Sequence, residues 1–309
     1  MQKPHKRNHN STVSSTSKKK PKNSPKQLSH STEPYPNHPN PTPEQCLSAR
    51  DSLLSLHGFP QEFAKYRKIR SGLGISSNSS QAIQIVKSEF VEEKVIVEDD
   101  EKESVLDGLV NTLLSQNTTD ANSRRAFANL KAEFPNWEAV LAAESKVVEN
   151  AIKCGGLAVT KAACIKNLLT GLLERKGKLC LEYLRDLSID EIKGELSGFK
   201  GIGPKTVACV LMFNLQRDDF PVDTHVFRIT KSMGWVPENA DREKTYLHLN
   251  KRIPSELKFD LNCLFVTHGK VCQRCSKKLN EQQSKLDTNY SCPLFSCSSV
   301  SDMKKELLT

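Results

Sequence analysis

Residues 188–214 constrain this chain more than any other stretch. Ser188, followed three residues later by Glu191, is a capping box that opens a helix. Ile189, Ile192 and Leu196 carry its apolar side toward Phe199. Gly201 and Gly203 then bracket Ile202, where the backbone can turn tightly and take positive φ. Pro204 suits the first position of a second helix, because its missing N–H is an orphan there anyway. Val207, Val210, Leu211 and Asn214 continue that helix. Such a hairpin exposes backbone N–H groups beside a helix N-terminus, an anion site. Gly201, Ile202, Gly203 and Thr206 are therefore candidate phosphate contacts.

After a charged loop comes Val222-Asp223-Thr224-His225-Val226-Phe227-Arg228. A glycine-turn hairpin with Lys205 in its second helix, then this segment at this spacing, resembles the helix-hairpin-helix (HhH-GPD) DNA glycosylase superfamily, and within it the endonuclease III type. The likeness extends from Leu109 to at least Trp235. LLSQNTTD is similar to the segment that carries a glutamine pushed into the DNA stack, here Gln116. Residues 152–162 (IKCGGLAVTKA) look like the loop bearing a hydrophobic wedge, here Leu157. Extruding a base costs a few kcal/mol, and side chains that fill the hole hold the duplex open. The residues alone also allow Gln116 as an ordinary loop residue and Leu157 as a core leucine. His225, inside the second motif, is a further DNA-contact candidate.

The resemblance makes Lys205 and Asp223 the catalytic pair. An amine can attack C1′ of the sugar and form a Schiff base, after which β-elimination nicks the strand. Positive charge builds on the sugar as the base leaves, and a carboxylate stabilises it. The bland alternatives are a phosphate-binding lysine and an aspartate that caps the helix after it. The implied function is a base-excision glycosylase with lyase activity on damaged or modified bases in duplex DNA; the rival is a non-catalytic DNA-binding hairpin protein. A monomer is expected.

Around this centre the rest falls into four parts. Residues 1–44 hold eight of the chain's fifteen prolines and almost no large aliphatics, so disorder is expected. They supply +6 of the net +9, which leaves the body only mildly basic. Lys18-Lys19-Lys20-Pro21-Lys22 looks like a nuclear import run; an organelle is the alternative. Residues 45–103 open with a helical pattern from Glu44 to about Arg70 and should pack with the C-terminal lobe. Residues 104–223 show helical patterns with short connections: about 120–133 capped by Asp120, 137–143, 145–153 and 160–175 capped by Thr160. Residues 224–309 resume with helices near 224–233, 240–252 and 255–268, with Gly269 as C-cap. The expected fold is all-α, two helical lobes with the hairpin facing the cleft between them. No apolar run reaches membrane-spanning length.

Ten cysteines without a secretory pattern argue for reduced thiols. Cys272, Cys275, Cys292 and Cys297 form a C-x2-C-x16-C-x4-C array that reads as a metal site. The family resemblance implies a [4Fe–4S] cluster. His268-Gly269, Cys272 and the Cys-Pro-Leu at Cys292 match its pattern, but Asn289 stands where a cysteine is expected, so structural zinc is the alternative. Cys46, Cys154, Cys164, Cys180, Cys209 and Cys263 are expected to be packing residues.

Overall fold

The computed structural model describes residues 33–73, 103–275 and 292–296. The basic run at residues 18–22, Asn289 and Cys297 lie outside them. Among the described residues every regular element is helical, and none of these helices is long and apolar enough to cross a membrane.

Two separate cores define two lobes. The first is built from one continuous stretch. It holds α3 (Val105–Leu114), α4 (Asp120–Glu133), α5 (Trp137–Ala142), α6 (Ser145–Ala151), α7 (Ala158–Lys176), α8 (Ile189–Ser197) and α9 (Pro204–Cys209). Leu109, Leu113, Ile165, Leu168, Leu172 and Leu211 are buried at its centre. Each such side chain contributes about 1.5–3 kcal/mol when taken from water. Side-chain caps start the helices where the sequence offers an oxygen. Ser104 accepts from the Asp107 amide at 3.0 Å, and Asn136 from that of Ala139 at 2.8 Å; each cap is worth about 1 kcal/mol.

The second lobe is composite. It joins α1 (Pro43–His57) to α10 (Thr224–Ser232), α11 (Arg242–Arg252), α12 (Ser255–Val271) and the short α13 (Pro293–Ser296). Cys46, Ala49 and Leu53 of α1 share a core with Phe220, Val226, Trp235, Leu261 and Phe265. The division between the two cores falls between Leu215 and Phe220, slightly before the expected boundary at 223.

Several expectations change. The pattern from Glu44 to Arg70 is broken at Gly58 (φ 64°) and Pro60, so α2 (Ala64–Leu73) is a separate helix after a short turn. Thr119, not Asp120, caps α4, its hydroxyl accepting from the Asn122 amide. Helix α7 begins at Ala158, before Thr160, with Leu157 at its N-cap. Gly269 does not end α12, which runs on to Val271. Its glycine is needed for packing: a Cβ there would stand 2.6 Å from that of His225 on α10.

The expected disordered segment is ordered from Glu33. The Glu33 carboxylate bonds Arg252 Nε at 2.8 Å and pairs with Lys251. Arg252 donates to the His38 carbonyl at 2.7 Å, and the fully buried His248 bonds the Asn40 carbonyl through Nε2 at 2.7 Å. Residues 33–40 thus form a strap across the second lobe. Composition missed it because these bonds are polar and need few aliphatics.

The lobes meet at an aromatic seam. After α9 the hairpin's second helix widens into a π-helical segment, Val210–Asn214, in which the Leu215 amide bonds the Val210 carbonyl. The extra residue per turn sends Phe213 toward the second lobe, where it stacks on Phe63 at 5.5 Å and meets Phe259 at 6.0 Å. Asn214 meanwhile covers Gly108, where any Cβ would collide with its amide. Beside the seam, buried Asp219 accepts from Tyr246 Oη at 2.8 Å and pairs with Lys193 at 3.2 Å, tying α8 to α11.

Candidate functional site

The hairpin turn is set by steric demand. Both halves of the Ser188–Glu191 capping box are present. Phe199 and Ile202 are buried and anchor the turn in the first core. Gly201 has φ 95°, and a Cβ on it would stand 2.5 Å from Cys164 Sγ on α7. Glycine is therefore required there twice over. Gly203 differs: its φ of −93° suits any residue, and a Cβ would meet nothing within 4 Å. The protein's own packing gives no reason for glycine at 203.

Lys205 is exposed in the first turn of α9. Thr206 beside it is buried, and its hydroxyl accepts from Gln116 Nε2 at 3.0 Å. The structure thus joins Gln116, 90 residues away, to the hairpin. Asp223 caps α10, its Oδ1 accepting from the Val226 amide at 2.8 Å. The charges of Lys205 and Asp223 both act on the Cys209 thiol. Burial pushes that thiol up to about 11, with Lys205 acting to lower it and Asp223 and Asp219 to raise it. Cys209 was expected only to pack. Its position four residues after Lys205, on the same helix face, was the legible clue.

Leu157 is not a core leucine. It is 55% exposed and holds φ 52°, ψ 33°, the left-handed region that costs a leucine roughly 1–2 kcal/mol. Val159 beside it is also exposed. His225 is half-buried, seated on Gly269 of α12, with Nδ1 3.3 Å from Arg228 Nη2.

Three of the four expected ligands, Cys272, Cys275 and Cys292, come together, joined by His268; the fourth, Cys297, lies outside the described residues. His268, Cys272, Cys275 and Cys292 are all buried, and their ligand atoms lie within 4.8 Å of one another. Cys275 Sγ is 3.8 Å and His268 Nε2 3.3 Å from Cys292 Sγ. The neighbouring Cys275 sulfur holds the Cys292 thiol below its ordinary range, with His268 adding to the effect. His57 Nε2, on α1, lies 2.9 Å from His268 Nδ1 and fixes the ring from behind. Three sulfurs and one imidazole suit a tetrahedral ion; bond lengths of about 2.0–2.3 Å put such donors roughly 3.5–3.8 Å apart. A four-iron cubane places its own irons and sulfides between the thiolates and separates them further. His268 and Cys272, one helical turn apart, were readable as a pair, but the HG pattern drew attention only as a family match.

With this geometry in hand, known proteins are informative. Residues 110–255 match the HhH-GPD superfamily of base excision DNA repair proteins. An Arabidopsis thaliana protein named as a candidate DNA glycosylase is 60% identical over 263 residues, covering 84% of this chain and 87% of its own. The DNA glycosylase/AP lyase ROS1 of the same plant is 40% identical over 119 residues, 38% of this chain and 8% of ROS1. A solved endonuclease III–DNA complex shares the fold with a TM-score of 0.51 at 20% identity, covering 76% of this chain and 93% of that one. The hairpin, the two lobes and these relatives agree: the chain belongs to the HhH-GPD superfamily of base excision DNA repair proteins, as a DNA glycosylase of the endonuclease III-like type.

Proposed function

We propose that this enzyme removes a damaged or modified base from duplex DNA and then nicks the strand. The observation that carries the reading is the exposed Lys205 in the first turn of the hairpin's second helix, next to the Thr206 hydroxyl that holds Gln116, in a chain of this family. Lys205, once deprotonated, attacks C1′. The glycosidic bond breaks, and the base departs with the bonding pair and takes up a proton. Asp223 stabilises the positive charge on the sugar. The sugar ring then opens: the C1′–O4′ bond breaks, O4′ takes up a proton and the amine loses one, which leaves a Schiff base. This allows loss of a C2′ proton, and the C3′–O bond then breaks with the phosphate as leaving group. The open space at Gly203 suits close approach of a phosphate, and exposed, strained Leu157 suits a wedge. Gln116 would fill the gap left in the stack.

The metal centre has a structural role in this reading. The donor set and its spacing favour a single zinc ion held by His268, Cys272, Cys275 and Cys292, which clamps α12 to α1 through His57. Purified protein should be colourless with one zinc per chain; brown protein containing iron and sulfide would establish the cluster instead. The basic run at residues 18–22 is proposed to direct nuclear import, and its removal from a fluorescent fusion should redistribute the protein.

The decisive experiment is a panel of duplexes, each with one oxidised pyrimidine, 5-methylcytosine or thymine mismatched with guanine. Oxidised pyrimidine is the first expectation. Borohydride added during the reaction should trap enzyme covalently on DNA, and nicks should form without alkali. Nicks that need alkali would restrict the enzyme to base release. Binding without base release on any duplex would establish the non-catalytic reading.

A further inference from the structure

Two lysines are buried among the described residues, and the chemistry above uses neither. Lys258 lies within reach of the charges of Asp218 and Asp219. Lys161, only 4% exposed, is held differently. Its ammonium donates to the Leu114 carbonyl at 2.7 Å and to the Gly155 carbonyl at 2.9 Å. Leu114 is the last residue of α3, and Gly155 ends the short 3-10 turn Lys153–Gly155. Carbonyls at helix ends carry partial negative charge, so two helix C-termini compensate this cation in place of a carboxylate.

The two carbonyls belong to the two loops proposed to enter DNA. Gln116 follows Leu114 by two residues, and Leu157 follows Gly155 by two. The Lys161 backbone amide also bonds the Leu157 carbonyl at 2.9 Å. That amide bond is the first of α7 and would form with any residue at 161; the ammonium adds a side-chain tie to the loop two residues before Leu157, which sits in its left-handed conformation. The Gly155 loop is pressed close: a Cβ there would stand 3.0 Å from that of Ala126 and 4.0 Å from Lys161 Nζ. On the other loop Gln116 is held to Thr206, next to Lys205. One side chain thus links the wedge loop, the glutamine loop and, through it, the hairpin.

We propose that Lys161 is a positioning residue whose ammonium fixes the spacing between the Gln116 and Leu157 loops, so that both side chains enter the base stack together. The inference rests on the base-extrusion reading above. Lysine suits the task because one ammonium reaches two carbonyls that an apolar residue would leave buried and unbonded.

The test uses a duplex with a tetrahydrofuran abasic analogue beside 2-aminopurine, whose fluorescence rises when its stacking is lost. Wild type should produce the rise. Lys161→Met should reduce it by about 10-fold at saturating protein, and Lys161→Arg, which keeps the cation, should restore part of it. In a Leu157→Ala background Lys161→Met should add nothing further, because both changes break one device. A folded Lys161→Met protein with the full rise, or effects that simply add, would overturn the proposal. If that variant does not fold, native-state hydrogen exchange of wild type decides. Amides at 115–118 and 155–160 should open with a common free energy and be slowed together by the duplex; independent opening refutes the brace. A wild type that leaves 2-aminopurine stacked while those amides open together would instead defeat the base-extrusion reading, and the proposed role with it.

Discussion

The two lobes build their cores by opposite means. The hairpin lobe is one uninterrupted stretch whose helices bury a continuous aliphatic core from Val105 to Leu215. The metal lobe is assembled from distant pieces, and polar and ligand atoms supply much of its closure: the Glu33–Arg252 strap, the His57–His268 contact and the cysteine cluster. The hairpin and Lys205 lie in the first lobe, whereas Asp223 caps α10 of the second, where the cross-linking is concentrated. Damage to each should therefore have a different readout.

The largest effect is expected from Lys205→Gln. Borohydride trapping and nicking should fall by about 1,000-fold or more, because the proposed nucleophile is gone. The melting temperature should scarcely change, since Lys205 is exposed, and duplex affinity should largely persist. Cys292→Ser should do the reverse. Metal content should drop below stoichiometric, and stability should fall by roughly 4 kcal/mol or more, since ligation contributes to folding; calorimetry with metal analysis checks both. Equal stability in this variant would remove the metal from the account of the second lobe.

Asp223→Asn comes next. Asparagine also caps helices, so the fold should hold, while base release slows about 100-fold, roughly 3 kcal/mol of transition-state stabilisation. Single-turnover kinetics measure it. Gly201→Ala tests the hairpin's geometry apart from its chemistry. A methyl at φ 95° facing Cys164 Sγ should cost about 2 kcal/mol and weaken duplex binding. The same change at Gly203 should leave stability intact and reduce only DNA binding.

The smallest effect concerns the strap, and it depends on pH. Burial holds the His248 imidazole below its ordinary 6.5, so the strap loses stability as pH falls below that value. Burial would raise Glu33, but Arg252 and Lys251 outweigh it and hold the carboxyl below 4.5, so its contribution is present above that value and fades as pH falls further. Both act in one direction. Hydrogen-exchange protection at residues 33–40, corrected for the intrinsic pH dependence of amide exchange, should fall between pH 6.5 and 4 while the hairpin lobe stays protected.

The same contrast explains what the sequence made legible. Helical periodicity located the first lobe's helices to within a few residues, because local rules govern a contiguous bundle, although the caps read at Asp120 and Thr160 were displaced. The hairpin was read from Ser188, the paired glycines and Pro204 for that reason. Pairing of Gln116 with Thr206, burial of Lys161 between two helix ends, and His268 among the cysteines all arise from residues far apart in the chain. The π-helical widening at Val210–Asn214 was hidden because its apolar residues fit an ordinary helix equally well. The strap escaped because hydrophobic composition does not count hydrogen bonds to Arg252 and His248.

The composite second lobe also imposes an order of events during synthesis. Every residue of the hairpin lobe has left the ribosome soon after Leu215, so that lobe can fold while the chain is still being made. The apolar face of α1, made much earlier, has no partner until α12 emerges, and the cluster lacks a donor until Cys292 does. The nascent chain must therefore carry an unpaired helix through most of its translation. The approach of Cys292 to the earlier donors is the last of these contacts to become available.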